Sequence, residues 1–125
     1  KEMNAKSITL TYTVTPDLTA QSMGSGDMPV LATPAMVAMM ENASMRLVAA
    51  DLAEGDTTVG GHIDASHLRP SAIGAEIEVT ATLTAQEGRK MTFRVEARDG
   101  GDVIGEATHT RFVVARERFL SKLNK

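Results

Sequence analysis

One segment constrains the fold of this chain more than any other, because it is long and apolar and carries an isolated carboxylate. Residues 31–53 read LATPAMVAMMENASMRLVAADLA, and Glu41 is the only charged residue between positions 31 and 44. A carboxylate among apolar side chains must be paired, hydrogen-bonded or neutralised, because its desolvation is otherwise costly. The segment therefore predicts a buried element in which Glu41 is the residue that needs an explanation.

The segment has the features of one long helix. Thr33 fits the N-cap, Pro34 fits the first helical position, and Ala, Met and Leu dominate up to about Ala53, with Gly55 as the stop. At about 100° per residue, the face around Glu41 is apolar. It carries Pro34, Val37, Ala38, Met45, Val48 and Leu52. A helix that is apolar nearly all round is expected to be buried on several sides.

The rest of the chain alternates apolar and polar residues, which is typical of half-buried antiparallel strands. SITLTYTVT (7–15) alternates apolar residues with threonines, and residues 16–29 read as a mobile, turn-rich loop. QEGRK and DGGD are predicted hairpin turns, and RERFLSKLNK closes the chain as a short basic tail with a helical turn. The four further strands are predicted at 57–68, 75–87, 90–99 and 102–115.

These elements predict an α+β fold, in which one long central helix is wrapped by a curved antiparallel sheet of about five strands. The 125 residues contain no repeat and no linker, so a single domain over 1–125 is expected. An exposed sheet edge or spare apolar surface would favour dimerisation.

Composition excludes several classes of function. A formal net charge of −3 gives no electrostatic footprint for nucleic acid, and the absence of Cys excludes disulfides, a thiol nucleophile and a Cys-based metal site. No apolar run approaches the ~20 residues that span a membrane. KEMNAKSITL lacks a secretory core, so a cytoplasmic location is expected.

No motif for a metal or a phosphate loop is present, and a constellation of residues remains. Thr33 begins the helix, Glu41 lies two turns further on, and His67 ends a strand. A carboxylate and an imidazole can share general acid and base work if the fold brings them together. Each residue also has an ordinary structural explanation: a helix N-cap for Thr33, a surface histidine for His67, and for Glu41 an ion pair with Arg46 or a strand arginine.

The sequence resembles the hot-dog-fold thioesterases, specifically the fluoroacetyl-CoA-thioesterase-like group, over roughly residues 10–119. The similarity is carried by LATPAMVAMMENA, GGHIDASHLRPSAIGAEIEVTATL and EGRKMTFRVEARDGGDVIGEATHTRFVV. The threonine, glutamate and histidine of that family match Thr33, Glu41 and His67. Its glycine beside the thioester matches Gly60, and THTR places Arg111 where the family carries arginine near its site.

The resemblance implies a metal-independent acyl-CoA thioesterase without an organic cofactor, CoA being part of the substrate. It also implies a homodimer, or a dimer of dimers, with active sites at the subunit interface. The hypothesis is that Glu41 activates water or attacks the thioester directly, and that His67 polarises the carbonyl or protonates the leaving sulfur. Thr33 would hydrogen-bond Glu41 or position the water while capping the helix, and the Gly60 N–H would serve the oxyanion. Candidates for binding the CoA phosphates are Arg69, Arg89, Lys90, Arg116, Arg118 and Lys122.

The chain departs from the group in one respect. The dedicated fluoroacetate enzyme covers its pocket with phenylalanines in the loop before the helix, whereas that loop here reads GSGDMPVLAT and has no aromatic residue. The predicted substrate is therefore a small or medium acyl thioester, without a commitment to fluoroacetate. Met36, Met39, Met40 and Met45 fit either an adaptable pocket or ordinary core packing.

Three other functions are open on the sequence. A non-catalytic acyl-CoA or small-ligand binding module would keep the pocket without turnover. A hot-dog hydratase or dehydratase would need an Asp paired with a His, but Asp64 and His67 are three residues apart and face opposite ways in a regular strand. A purely structural interaction protein would leave Glu41 unexplained.

Overall fold

The alternating segments form five antiparallel strands of one sheet. The computed structural model describes residues 6–124; residues 1–5 and 125, the two ends of the predicted 1–125 domain, lie outside the described part. Every predicted strand is present, and the last two have the predicted bounds. The strands are β1 (Lys6–Thr13), β2 (Asp56–His67), β3 (Glu76–Glu87), β4 (Lys90–Asp99) and β5 (Asp102–Ala115).

The spatial order of the strands is β1-β3-β4-β5-β2, so β1 and β2 form the two edges of the sheet. Both predicted hairpins are confirmed, since Glu87 pairs with Lys90 and Asp99 pairs with Asp102. The first of these turns needs Gly88, whose φ of 61° lies in the left-handed region. The long β2–β5 ladder carries a bulge at residue 61, beside Gly60.

One long helix, α2 (Thr33–Val48), packs mainly against β3 and β1. Its buried face, which includes Met36, Met39 and Met40, interlocks with the inward residues of the sheet, so these methionines are core residues. The Tyr12 hydroxyl donates a 2.6 Å hydrogen bond to the Asn42 side chain and ties β1 to the helix. The α+β architecture predicted from the sequence is confirmed.

Three local predictions differ from the structure. The helix was expected to continue to about Ala53, but it ends at Val48, and a 3₁₀ turn over Ala49–Asp51 completes the segment. Two short helical pieces, a 3₁₀ turn at Pro16–Leu18 and α1 (Ala20–Met23), occupy the predicted loop. The basic tail forms the predicted helical turn, α3 (Arg116–Ser121).

The third difference concerns burial of α2. The helix was expected to be covered on several sides, but within the described chain the face that carries Glu41 is uncovered. Pro34 and Ala38 are exposed, whereas Val37, Glu41 and Met45 are only half-buried. Towards the C-terminal end of this face, Leu52 is half-buried and Val48 is buried. The sheet covers one side of the helix, and an apolar stripe remains on the other. None of the helices within residues 6–124 is long and apolar enough to cross a membrane.

Candidate active site

The first part of the candidate site is a pair of side chains at the N-terminal end of α2. The Thr33 hydroxyl lies 2.7 Å from Nδ1 of His67, the last residue of β2, so the two are joined by a hydrogen bond. The pair connects residues 34 positions apart in the sequence. Two of the three predicted catalytic residues are therefore in contact within one chain.

The predicted capping role of Thr33 is wrong. Ala32 has the extended backbone of an N-cap (φ −71°, ψ 142°), Thr33 is already helical, and the cap makes no side-chain hydrogen bond. Because the Thr33 side chain points to His67 rather than to the first free N–H groups of the helix, its hydroxyl is available to the site.

His67 is half-buried, so the alternative of an ordinary surface histidine does not describe it. Burial lowers the pKa of its imidazole, and the nearby backbone of Arg69 acts in the opposite direction. Its Nε2 atom is buried and has no hydrogen-bond partner within the described residues. The ring borders a cavity of about 220 Å³ lined by Ala20, Ser25, Val30, Leu31, Thr33, His67, Arg69 and Pro70.

Glu41 lies in a different cavity, of about 380 Å³, on the uncovered side of α2. It takes part in no ion pair and no side-chain hydrogen bond with the rest of residues 6–124, so the predicted structural pair with Arg46 is not formed. Met45 also lines this cavity. The lining is completed by Ala38, Asn42, Gly60 and Arg111.

Gly60 is the point at which the polar groups of this second cavity converge. A Cβ atom at Gly60 would lie 3.4 Å from Cε1 of His109, 3.5 Å from Nη1 of Arg111 and 3.6 Å from Oε2 of Glu41. The residue is exposed, so its backbone is accessible from the cavity. The structure therefore brings the predicted Gly60 and Arg111 together with Glu41.

Arg111 is only 7% exposed, and two hydrogen bonds to Thr58 hold its side chain in a fixed orientation. Its Nε donates a 2.8 Å hydrogen bond to the Thr58 hydroxyl, and its Nη2 donates a 3.0 Å bond to the Thr58 carbonyl. Burial lowers the pKa of the guanidinium, and the nearby Glu41 carboxylate opposes that shift. An arginine remains charged in this environment. Thr58 was not among the predicted site residues.

His109 is a second residue that the sequence reasoning missed. It is 1% exposed, and its Nδ1 lies 2.8 Å from the His62 carbonyl, to which it must donate. Nη1 of Arg111 lies 3.2 Å from Nε2, which accepts its hydrogen bond when the ring is neutral. Burial lowers the pKa of His109; the His62 carbonyl raises it, Arg111 lowers it and Glu41 raises it, in decreasing order of effect.

The sequence carried a signal for His109. In THTR, His109 and Arg111 are two residues apart, so they point to the same side of β5, as Ala107 does. The burial of all three residues shows that this side faces inward. A histidine on the inward face of a strand, two positions from a buried arginine, is a candidate partner for that arginine.

The structure does not bring all three predicted catalytic residues together in one chain. Thr33 and Glu41 are eight positions apart on α2, which is about 12 Å along the helix axis at 1.5 Å per residue. They line separate cavities, one with His67 and the other with Gly60 and Arg111. A single chain therefore presents two halves of the predicted site at two places.

The predicted phosphate-binding residues also separate into groups. Arg69 lines the Thr33 cavity and lies 3.9 Å from Asp102, whereas Lys90 and Arg116 line neither half of the site. Arg89, Arg118 and Lys122 line one further cavity. Within the part of the chain that the structure describes, no group of three or more His, Cys, Asp or Glu side chains could hold a metal ion.

Comparison with known proteins assigns the chain to a family. The fluoroacetyl-CoA-specific thioesterase family matches residues 14–117. The chain belongs to this family. A relative from Streptantibioticus cattleyicolor, named fluoroacetyl-CoA thioesterase, is 40% identical over 96 residues, which are 77% of this chain and 69% of that protein.

Solved structures agree with the family assignment. A structure of a fluoroacetyl-CoA thioesterase superposes with a TM-score of 0.91 at 34% identity, covering 99% of this chain and 97% of the other. A thioesterase superfamily member from Thermus thermophilus gives a TM-score of 0.87 at 28% identity, covering 94% and 88%. The hot dog fold and the predicted class, a thioester hydrolase of the acyl-CoA thioesterase type, are confirmed at the level of this family.

Proposed function

We propose that this chain hydrolyses a small or medium acyl-CoA thioester in an active site built from two copies of the chain. One copy supplies Glu41, Gly60 and Arg111, and the other supplies Thr33 and His67. The observation that carries the proposal is the division of the predicted catalytic residues between two cavities of one chain. Since each half lacks the groups that the other contains, two copies are needed to surround one thioester.

Two surfaces support a homodimer. The apolar stripe around Glu41 on α2 is uncovered in the described chain. In the same part of the chain, β2 is an edge strand that pairs only with β5, so the other edge of β2 is open. Exposed apolar stripes and open strand edges are surfaces that proteins cover by association. Both surfaces border Glu41 and Gly60, so an interface formed by them would close over the second cavity.

The chemistry follows from the protonation states. The pKa of His67 is lowered by burial, which favours a neutral ring at pH 7. When Thr33 donates its hydrogen bond to Nδ1, the ring proton resides on Nε2, the atom that has no partner in the described chain. That N–H polarises the thioester carbonyl or protonates the departing sulfur.

Glu41 acts on the thioester from the other half of the site. Its carboxylate either removes a proton from water or attacks the carbonyl carbon, expelling the CoA thiolate and forming a mixed anhydride that water then hydrolyses. The Gly60 N–H stabilises the oxyanion, and Arg111 adds a fixed positive charge close to both groups. Trapping with hydroxylamine separates the two roles, because only an anhydride can yield a hydroxamate on Glu41.

The acyl group is the least constrained part of the substrate. The loop at residues 24–32 contributes Ser25, Val30 and Leu31 to the Thr33 cavity and has no aromatic side chain. We therefore propose hydrolysis without selectivity for fluoroacetate. A panel that includes acetyl-, fluoroacetyl-, propionyl- and hexanoyl-CoA, followed by detection of the free thiol, tests this; tight binding without thiol release would favour a binding module.

Mixing two inactive variants tests the shared site directly. In a heterodimer of Glu41→Gln and His67→Ala chains, one site carries both defects and the other carries neither. If the halves come from different chains, re-association of an equal mixture restores roughly a quarter of the wild-type activity, because half of the dimers are mixed and each has one intact site. If all catalytic groups act within one chain, no activity returns.

A further inference from the structure

A cavity remains that the proposed catalytic groups do not use. It measures about 220 Å³ and lies between the end of β5, α3 and the turn at residues 88–89. Three of its seven lining residues are basic and none is acidic. The lining consists of Arg89, Val113, Val114, Ala115, Arg118, Phe119 and Lys122.

The basic side chains of this cavity lack acidic partners. Within residues 6–124, Arg89, Arg118 and Lys122 take part in no ion pair, whereas Arg94 and Arg98 on the sheet pair with glutamates. Nη1 of Arg89 donates a 3.1 Å hydrogen bond to the Val113 carbonyl, which fixes the guanidinium at the cavity rim. The whole chain carries a net charge of −3, so this positive cluster runs against its overall charge.

The cavity also offers an aromatic surface, in a chain that has only three Phe and one Tyr. Phe119 lines it and is 39% exposed. A cluster of cations beside an accessible ring matches a phosphorylated nucleoside, because cations bind the phosphates and the ring offers a face for the base. An inorganic anion alone would have no use for the ring.

The position of the cavity relates it to the Glu41 half of the site. Arg111 and Ala115 are four residues apart on β5, which is about 13 Å in an extended strand. A further cavity of about 280 Å³ shares Arg89 with the basic one, and also Val113, which lies between Arg111 and Ala115 on β5. It is also lined by Val48, the last residue of α2, and by Leu52, which follows the 3₁₀ turn.

We propose that Arg89, Arg118, Lys122 and Phe119 bind the phosphorylated adenosine end of coenzyme A. The pantetheine arm then runs past Val48 and Leu52 and presents the thioester at Gly60. This inference rests on the proposed function and identifies its nucleotide-binding part. It selects three of the six basic residues considered from the sequence, those that share one cavity with an aromatic ring.

Substrates with and without the nucleotide test the proposal. In an Arg118→Ala/Lys122→Ala double variant, the KM for acyl-CoA is expected to rise about tenfold or more through loss of charge-assisted contacts, with kcat nearly unchanged. The same variant should hydrolyse the corresponding acyl-pantetheine thioester with the wild-type kcat/KM. Arg94→Ala is the matched control, because Arg94 pairs with Glu106 away from the cavity.

The outcomes separate this inference from the proposed function. An unchanged KM for acyl-CoA in the folded double variant overturns the nucleotide subsite, as does an equal loss of kcat/KM with both substrates. If the wild-type chain hydrolyses neither thioester, the proposed function fails. Calorimetric titration of free CoA into wild-type and double-variant protein still decides the subsite, since equal affinities overturn it and weaker binding by the variant supports it.

Discussion

Thr33 and His67 are joined by a 2.7 Å hydrogen bond that connects the first residue of α2 to the last residue of β2. The threonine does not cap its helix, so its hydroxyl has the histidine as its partner. The contact orients the imidazole ring. Thr33 therefore resembles a helix N-cap in the sequence, but its contact with His67 explains it better.

Thr33→Val is expected to lower kcat/KM by about tenfold or more, because His67 loses the hydrogen bond that orients its ring. The free energy of unfolding should change by less than the ~1 kcal/mol typical of a lost N-cap. Thr33→Ser should retain activity, since it keeps the hydroxyl. Thioester assays and urea titrations of both variants check this, and a large loss of stability with intact activity would restore the capping role.

Glu41→Gln and His67→Ala are each expected to lower acyl-CoA hydrolysis by at least ~100-fold while leaving the fold intact. Glutamine keeps the shape of Glu41 but can neither accept a proton nor attack a carbonyl. The measurement is thiol release under saturating substrate, with circular dichroism as the control for folding. Near-wild-type turnover by either soluble variant would refute its assigned role.

Gly60→Ala is expected to separate activity from stability. The added methyl group would make ordinary contacts of 3.4–3.6 Å with His109, Arg111 and Glu41, and Gly60 is not among the positive-φ glycines. The unfolding free energy should therefore stay within about 0.5 kcal/mol of wild type.

The same methyl group would stand where the thioester oxygen approaches the Gly60 N–H, so kcat/KM should fall about tenfold or more. Gly101→Ala is the matched control, because its added Cβ meets nothing within 4 Å. A fully active Gly60→Ala enzyme would remove this backbone group from the oxyanion site.

His109 is expected to act through Arg111, as a positioning residue. His109→Phe keeps a ring of similar size but removes the acceptor for Nη1 of Arg111, so kcat should fall about tenfold with a smaller change in KM. His109→Gln supplies an amide oxygen as acceptor and should recover most of kcat. Equal kcat values for the two variants would show that His109 serves packing alone.

Stability is expected to depend on pH through His67 and His109, whose pKa values are both lowered by burial. Below pH ~6.5 the unfolded chain binds more protons at these sites than the folded chain. The free energy of unfolding should therefore fall as the pH drops from ~6.5 through the lowered pKa values of the folded state, and the contribution is complete above ~6.5.

Urea unfolding at pH 7.5 and 5.5 measures this dependence. His109→Gln should reduce it, because the variant removes a group that faces Arg111 on its own strand, Glu41 on α2 and the His62 carbonyl on β2. His62→Gln is the control, since the His62 side chain is exposed. An undiminished pH dependence in the His109 variant would assign the effect to other groups.

The strands were predictable because their information is local. Alternating residues such as Ile77, Val79 and Ala81 on β3 have one buried face, and Gly88 marks its turn directly. The ends of α2 were less predictable: residues 49–51 keep helical composition but tighten into a 3₁₀ turn, and nothing in the sequence distinguishes Thr33 from an N-cap.

The site was predictable only in part because its contacts are not local. Thr33 and His67 were assigned to one site through a family resemblance, but their contact was not predicted, since spacing cannot relate residues 34 positions apart. Thr58 and Arg111, separated by 53 positions, meet because β2 pairs with β5. The sequence also could not predict that the Glu41 face of α2 is uncovered. An apolar stripe that packs against a second chain has the same composition as one that packs against the core of its own chain.

In the proposed two-chain site, the distance along α2 between Thr33 and Glu41 makes catalysis depend on protein concentration. If the two cavities of one chain serve two different active sites, dissociation into monomers should abolish turnover without unfolding the chain. Specific activity should then rise with protein concentration until the chains are fully associated. On dilution it should fall, with a midpoint set by the dissociation constant of the dimer. The separation of Thr33 and Glu41 along α2 would thus make the catalytic rate depend on the association equilibrium.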